Sequence, residues 1–173
     1  LNLNRDILDN YRNYIFIFIL AFAVIVLAGV HAAGAQQDKS YRENYSLYAQ
    51  ASQYMDQEKY SQAQELLAKL DADSQANYHV LYMLAVCAEK TGNMAEAADY
   101  LQKVRETRPA MLMNQEYLCR YGAVLYQLGE YRRAELYLLQ SLKYPDDTGT
   151  TQEANKYLAE IAENSRTGGQ KKN

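Results

Sequence analysis

Residues 90–109 read KTGNMAEAADYLQKVRETRP, and residues 127–145 read QLGEYRRAELYLLQSLKYP. Laid over each other, Gly92 falls on Gly129, Ala97 on Ala134 and Leu101 on Leu138, and each stretch closes on a proline, Pro109 or Pro145. Each has the apolar period of a helix, entered through glycine and left through proline. Glycine suits the left-handed position that ends a preceding helix. Proline cannot continue a helix.

Reading outward, each stretch is preceded by a second helical pattern. These are Leu81-x-x-Leu84-Ala85-x-x-Ala88 and Leu118-x-x-Tyr121-Gly122-x-x-Leu125. Further upstream the same pair recurs as Leu47-x-x-Gln50-Ala51-x-x-Tyr54 and Tyr60-x-x-Ala63-x-x-x-Leu67. The anchor alanines Ala63, Ala97 and Ala134 are separated by 34 and 37 residues. Small residues at Ala85, Gly122, Ala97 and Ala134 let paired helices approach closely, and Leu84, Tyr121, Leu101 and Leu138 fill the space between pairs. The first unit departs from the pattern: Gln50 stands at an apolar position, Glu58 where glycine is usual, and no proline closes it. No alternating β-branched run suggests a strand.

These residues resemble the tetratricopeptide repeat, a helix–turn–helix unit of about 34 residues with the pattern W-x2-L-G-x2-Y…A-x3-F…P. The resemblance covers about three-quarters of the chain. It implies an all-α fold, a right-handed α-solenoid of three helix pairs. A final helix supports this. Ala154, Tyr157, Leu158, Ile161 and Ala162 form one apolar stripe, Thr150-x-x-Glu153 reads as a capping box, and one wet face is what a terminal cap requires.

Before the repeats, Tyr14 to Ala35 reads YIFIFILAFAVIVLAGVHAAGA, without Asp, Glu, Lys or Arg. About 20 helical residues cross a hydrocarbon core. The rival is a signal peptide cut after Ala33-Gly34-Ala35. The length of the apolar run, and the cancelling of Arg5 and Arg12 by Asp6 and Asp9, favour an uncleaved anchor. Arg5 and Arg12 tie with Lys39 and Arg42 in the positive-inside count; the α-amino group and the length of the C-terminal region lean toward a repeat domain outside the cytoplasm. The expected layout is a flank (1–13), a transmembrane helix or signal peptide (14–35), a linker (36–40), a repeat domain (41–165) and a disordered tail (166–173). Within the domain the pairs fall near 44–77, 78–111 and 115–148, with the cap at 150–165.

Composition narrows the function. Eighteen Lys and Arg against 21 Asp and Glu leave a net charge of −3, so the basic footprint of a nucleic-acid binder is missing. Hydrophobic residues make up 49% of the chain although its mean hydropathy is −0.47, which fits apolar residues concentrated in one membrane helix and on inner helix faces. The only histidines are His31 and His79, and no local motif surrounds Cys87 or Cys119. The cysteines lack zinc spacing, and Gly168-Gly169 opens no helix. No enzyme, metal or cofactor is expected.

The resemblance implies that the first helix of each pair lines a concave groove for a protein or extended peptide. Aligned there are Tyr45, Tyr48, Ser52 and Met55; His79, Tyr82, Val86 and Glu89; and Glu116, Cys119, Ala123 and Tyr126. The predicted binding residues are Tyr45, Tyr48, Ser52, His79, Tyr82, Val86, Glu89 and Tyr126. The alternative, that these tyrosines only pack between repeats, stays open. The Lys, Asn and Arg clamp with which family members grip acidic chaperone tails is not reproduced at Tyr48, Ser52, His79 and Tyr82. The expected function is a membrane-anchored scaffold. In layout it is similar to bacterial anchored repeat proteins that assist secretion or envelope assembly. A secreted or periplasmic repeat protein released near Ala35, and a structural homo-oligomerisation module, are the alternatives.

Overall fold

A computed structural model of the chain describes residues 3–70, 74, 76–144 and 147–170, with side chains described at 14–31, 37–70, 74, 76–144 and 147–166. The described residues form helices joined by short connections, with no strand among them. The α-helices are α1 (Leu3–Asp56), α2 (Tyr60–Leu67), α3 (Tyr78–Lys90), α4 (Met94–Thr107), α5 (Gln115–Gln127), α6 (Tyr131–Ser141) and α7 (Thr148–Gln170). A 3-10 helix, Pro109–Met113, joins α4 to α5 and takes up the extra residues between the second and third anchor alanines. Pro145 lies outside the described residues.

The chain forms two units, Leu1–Tyr45 and Ser46–Asn173. In the first, Tyr14–His31 is an 18-residue stretch of mean hydropathy 2.6 with none of it buried. It is long and apolar enough to cross a membrane, and a signal sequence meets the same description. The helix does not stop at the expected linker: α1 runs through residues 36–40. No glycine or proline interrupts Gln36 to Ser40, and Lys39 lies 3.8 Å from Glu43 one turn on.

In the second unit, α3 packs against α4 and α5 against α6 as antiparallel neighbours, with α2 against α3 and α7 against both α5 and α6. The turns within the pairs share one geometry. Gly92 and Gly129 have φ of 86° and 76°, and Glu58 holds the same left-handed position at 58°. In each turn the residue that follows donates its N–H back to the helix: Asn93 to the Ala88 carbonyl, Glu130 to Leu125 and Lys59 to Tyr54, at 2.8 to 2.9 Å. These are the bonds that satisfy a helix's last carbonyls. The turn of the first helix pair thus forms despite its glutamate.

The anchor alanines Ala63, Ala97 and Ala134 are fully buried, as are Leu67, Leu101 and Leu138. A Cβ added at Gly122 would lie 2.6 Å from the Leu138 Cγ, so only glycine allows this approach of α5 to α6. Caps start the helices. Asn77 accepts from the His79 N–H and Asn114 from the Tyr117 N–H. For α7 the cap is Asp147 rather than Thr150: its carboxylate accepts from both the backbone N–H and the hydroxyl of Thr150. Thr150 therefore sits inside the helix, and the predicted capping box does not form. α7 also extends through Gln170, so residues 166–170 are helical where a disordered tail was expected. Residues 171–173 lie outside the described residues.

Candidate functional site

Helices α3 and α5 are the first helices of the second and third pairs. Their shared face carries one connected polar network. The Tyr82 hydroxyl donates to Glu116 Oε1 at 2.8 Å. Arg120 Nε donates to the Tyr82 oxygen at 3.0 Å. Arg120 Nη1 donates to Glu89 Oε2 at 2.5 Å, and Nη2 reaches Glu116 Oε1 at 3.3 Å. The guanidinium carbon also lies 5.6 Å from the centre of the Tyr82 ring.

The electrostatics follow from this geometry. Burial pushes the Tyr82 phenol up to about 12; the Arg120 charge pulls it back, and Glu116 pushes it up. Burial works against the Arg120 charge, but Tyr82 and Glu89 beside it raise its pKa beyond the usual arginine value. Arg120 and Glu89 are both about four-fifths covered, with side-chain exposures of 21% and 24%. Such a pair is screened by salt far less than an exposed one.

The structure brings Tyr82, Glu89 and Glu116 together among the aligned groove positions. Val86 is half-buried on α3, within one turn of both Tyr82 and Glu89. His79 is exposed in the first turn of α3, its ring stacked 3.9 Å from that of Tyr78. Tyr48 and Ser52 lie on α1 outside the network, Tyr48 exposed and Ser52 half-buried, and Met55 packs against the first core. Tyr45 is exposed and belongs to the other unit.

At the third pair the arrangement differs from an open groove. Cys119 and Ala123 are buried, and the Cys119 thiol donates to the Thr150 carbonyl at the start of α7. The Tyr126 ring sits 5.1 Å from Tyr157 and 5.6 Å from Tyr131, and the nearby Glu160 raises its phenol's pKa. Tyr126 therefore packs in the seam with α7, which answers part of the question left open by the sequence. α7 brings Tyr157 and Glu153 to the same region: Glu153 acts electrostatically on both Cys119 and Tyr157, as does Glu89.

Arg120 is the residue missed by sequence reasoning. A charged residue on a helix reads as solvated, and its partners Glu89 and Tyr82 are 31 and 38 residues away. The one local signal is Glu116, a turn earlier on the same helix. Burial pushes the Cys87 and Cys119 thiols up to about 11 and 12, which leaves them protonated and unreactive near neutrality. A cavity of about 550 Å³ opens elsewhere, bordered by Gln64, Tyr100, Lys103 and Leu84, and no predicted groove residue lines it.

Solved structures resemble this fold. The Sgt2 tetratricopeptide domain from Aspergillus fumigatus superposes with a TM-score of 0.61 at 17% identity, covering 72% of this chain and 82% of that one. The Yersinia enterocolitica type III secretion chaperone SycD, in complex with a peptide of the translocator YopD, gives 0.60 at 16% identity over 70% and 93%. The second tetratricopeptide domain of human RPAP3, in complex with the HSP70 peptide SGPTIEEVD, gives 0.58 at 18% identity over 68% and 97%. No curated protein matches the chain. Residues 54–116 match the tetratricopeptide repeat family model. That stretch is tetratricopeptide repeat in sequence, and the chain has the tetratricopeptide-repeat fold.

Proposed function

We propose that this chain is a protein-docking scaffold whose repeat unit binds an extended protein segment, and that Tyr14 to Ala35 anchors it in a membrane. The observation that carries the docking reading is the Tyr82–Arg120–Glu89–Glu116 network. It sets a half-buried tyrosine and three charged groups on the face made by two first helices. Tyrosine supplies rigid contact area with a polar tip, a common anchor at interfaces. Similar folds support the reading, since SycD and RPAP3 domains are seen with bound peptides. The anchor reading rests on the exposed apolar stretch Tyr14–His31; a long C-terminal region translocates largely regardless of its own charge, which favours a repeat unit outside the cytoplasm. An anchor raises the effective concentration of the scaffold toward membrane-linked partners, including those of secretion or envelope assembly.

Photo-crosslinking residues placed at Tyr48, Tyr82 and, as a control on another surface, Leu136 test the docking reading. The expected result is one partner captured from Tyr48 and Tyr82 but not from Leu136. Capture from Leu136 alone would refute the groove. The intact mass of the membrane-bound chain tests the anchor, because a mature N-terminus at Gln36 would mean release by cleavage.

A further inference from the structure

We infer that the face built by α3, α5 and α7 takes an extended protein segment carrying lysine or arginine side chains, and turns acidic segments away. This rests on the docking reading above and names the chemistry of the partner.

Four carboxylates belong to this face: Glu89 on α3, Glu116 on α5, and Glu153 and Glu160 on α7, which packs on α5 through the Cys119–Thr150 and Tyr126–Tyr157 contacts. Two cations stand with them. Arg120 makes three hydrogen bonds within the face, from Nε to Tyr82, from Nη1 to Glu89 and from Nη2 to Glu116. Lys156 lies 5.9 Å from the centre of the Tyr157 ring. The four carboxylates outnumber these two cations, and the half-buried cation already pairs with both Glu89 and Glu116. An acidic side chain would have to displace Glu89 or Glu116 from the guanidinium, or lie beside them. A lysine or arginine meets the carboxylates of Glu116 and Glu153, both exposed; Glu116 Oε1 is shared with Tyr82 and Arg120, and an incoming cation adds to that pairing.

The aromatic groups point the same way. Tyr82 and Tyr157 already hold cations near their rings, at 5.6 and 5.9 Å. Rings of this kind attract cations through their electron-rich faces. Val86, half-buried on α3, offers an apolar contact between the charged positions. The occupant that fits is a segment with basic and small apolar side chains, held by complementary charge.

The test uses the full chain in detergent micelles and three matched libraries of short random peptides, with fixed positions occupied by Lys and Arg, by Asp and Glu, or by Ser and Gln. The basic library should be retained about tenfold better than the acidic one. Glu116→Gln with Glu153→Gln should lower that retention about fivefold, and added salt should erase most of the difference. The charge reversal Glu153→Lys should shift retention toward the acidic library. Equal retention of basic and neutral libraries, or preference for the acidic one, overturns the inference while leaving docking intact. No retention of any library, or retention unchanged by Tyr82→Ala, overturns the docking reading itself and this inference with it. Circular dichroism of each variant confirms that the helices remain.

Discussion

The first and third helix pairs have the same topology and are built to different tolerances. The third encloses Tyr117, Leu118, Tyr121, Leu125 and Leu138, all at or near zero exposure. Its helices approach through Gly122, and the buried Tyr117 hydroxyl donates to the Leu101 carbonyl of the second pair at 2.8 Å. The first pair has an eight-residue second helix and a core of Ala51, Ala63, Leu67 and Leu70. Its turn rests on Glu58 in a left-handed conformation. A repeat pattern thus sets topology with a few small and apolar residues, while close backbone approach and buried, satisfied tyrosines supply the specificity of one pair over another.

The sharpest way to break this comparison is a matched pair of cavities. Leu138→Ala should cost about 2–5 kcal/mol in denaturant unfolding. Leu67→Ala should cost less, because α2 ends there and its neighbours can collapse into the space. An equal or larger loss at Leu67 would remove the distinction. Next, Gly122→Ala should cost about 1–3 kcal/mol by forcing Leu138 aside. In the background of Leu138→Ala the same change should cost much less, since the obstructing side chain is gone. Purely additive losses would show that Gly122 is not set by this contact.

Smaller effects separate the turns. Gly129→Ala places a Cβ in a left-handed position and should destabilise by about 1 kcal/mol. Glu58→Gly relieves the same penalty and should stabilise by up to about 1 kcal/mol, measured by thermal unfolding. The smallest effect concerns Asp147. Backbone and side-chain hydrogen bonds from Thr150 lower its pKa below the ordinary 3.8. A depressed carboxylate contributes stability above its unfolded pKa and loses it as pH falls through the folded value. The stability gap between the native chain and Asp147→Ala should therefore be constant near neutrality and shrink below about pH 4. A gap that persists in acid would mean that Asp147 acts by packing.

Much of the architecture was legible because a period near 34 residues repeats chemically constrained positions. Ala63, Ala97 and Ala134 are small where helices touch, and Gly92 and Gly129 stand where φ must be positive. The Glu58 turn was less legible, since the bonds that hold it are made by backbone and leave no residue signature. The continuation of α1 through residues 36–40 was hidden because polar helix formers read equally well as linker. Of the candidate face, Tyr82, Glu89 and Glu116 follow from register alone. Arg120 does not, because the ion pair that defines it joins separate repeats. Tyr126 lies on α5, and its packing against Tyr157 depends on where α7 docks.

The Arg120 pair has a consequence for how the stack melts. In a repeat array, cooperativity depends on the coupling between neighbouring units. The seam between the second and third pairs carries part of that coupling as Coulomb attraction, through Glu89 and Arg120. The seam between the first and second is bridged instead by the hydrogen bond from Gln64 to Glu96 and by apolar contacts. Ionic strength thus acts unequally along the array. High salt weakens this half-buried pair only slightly while strengthening apolar burial everywhere, so the two seams respond differently to the solvent.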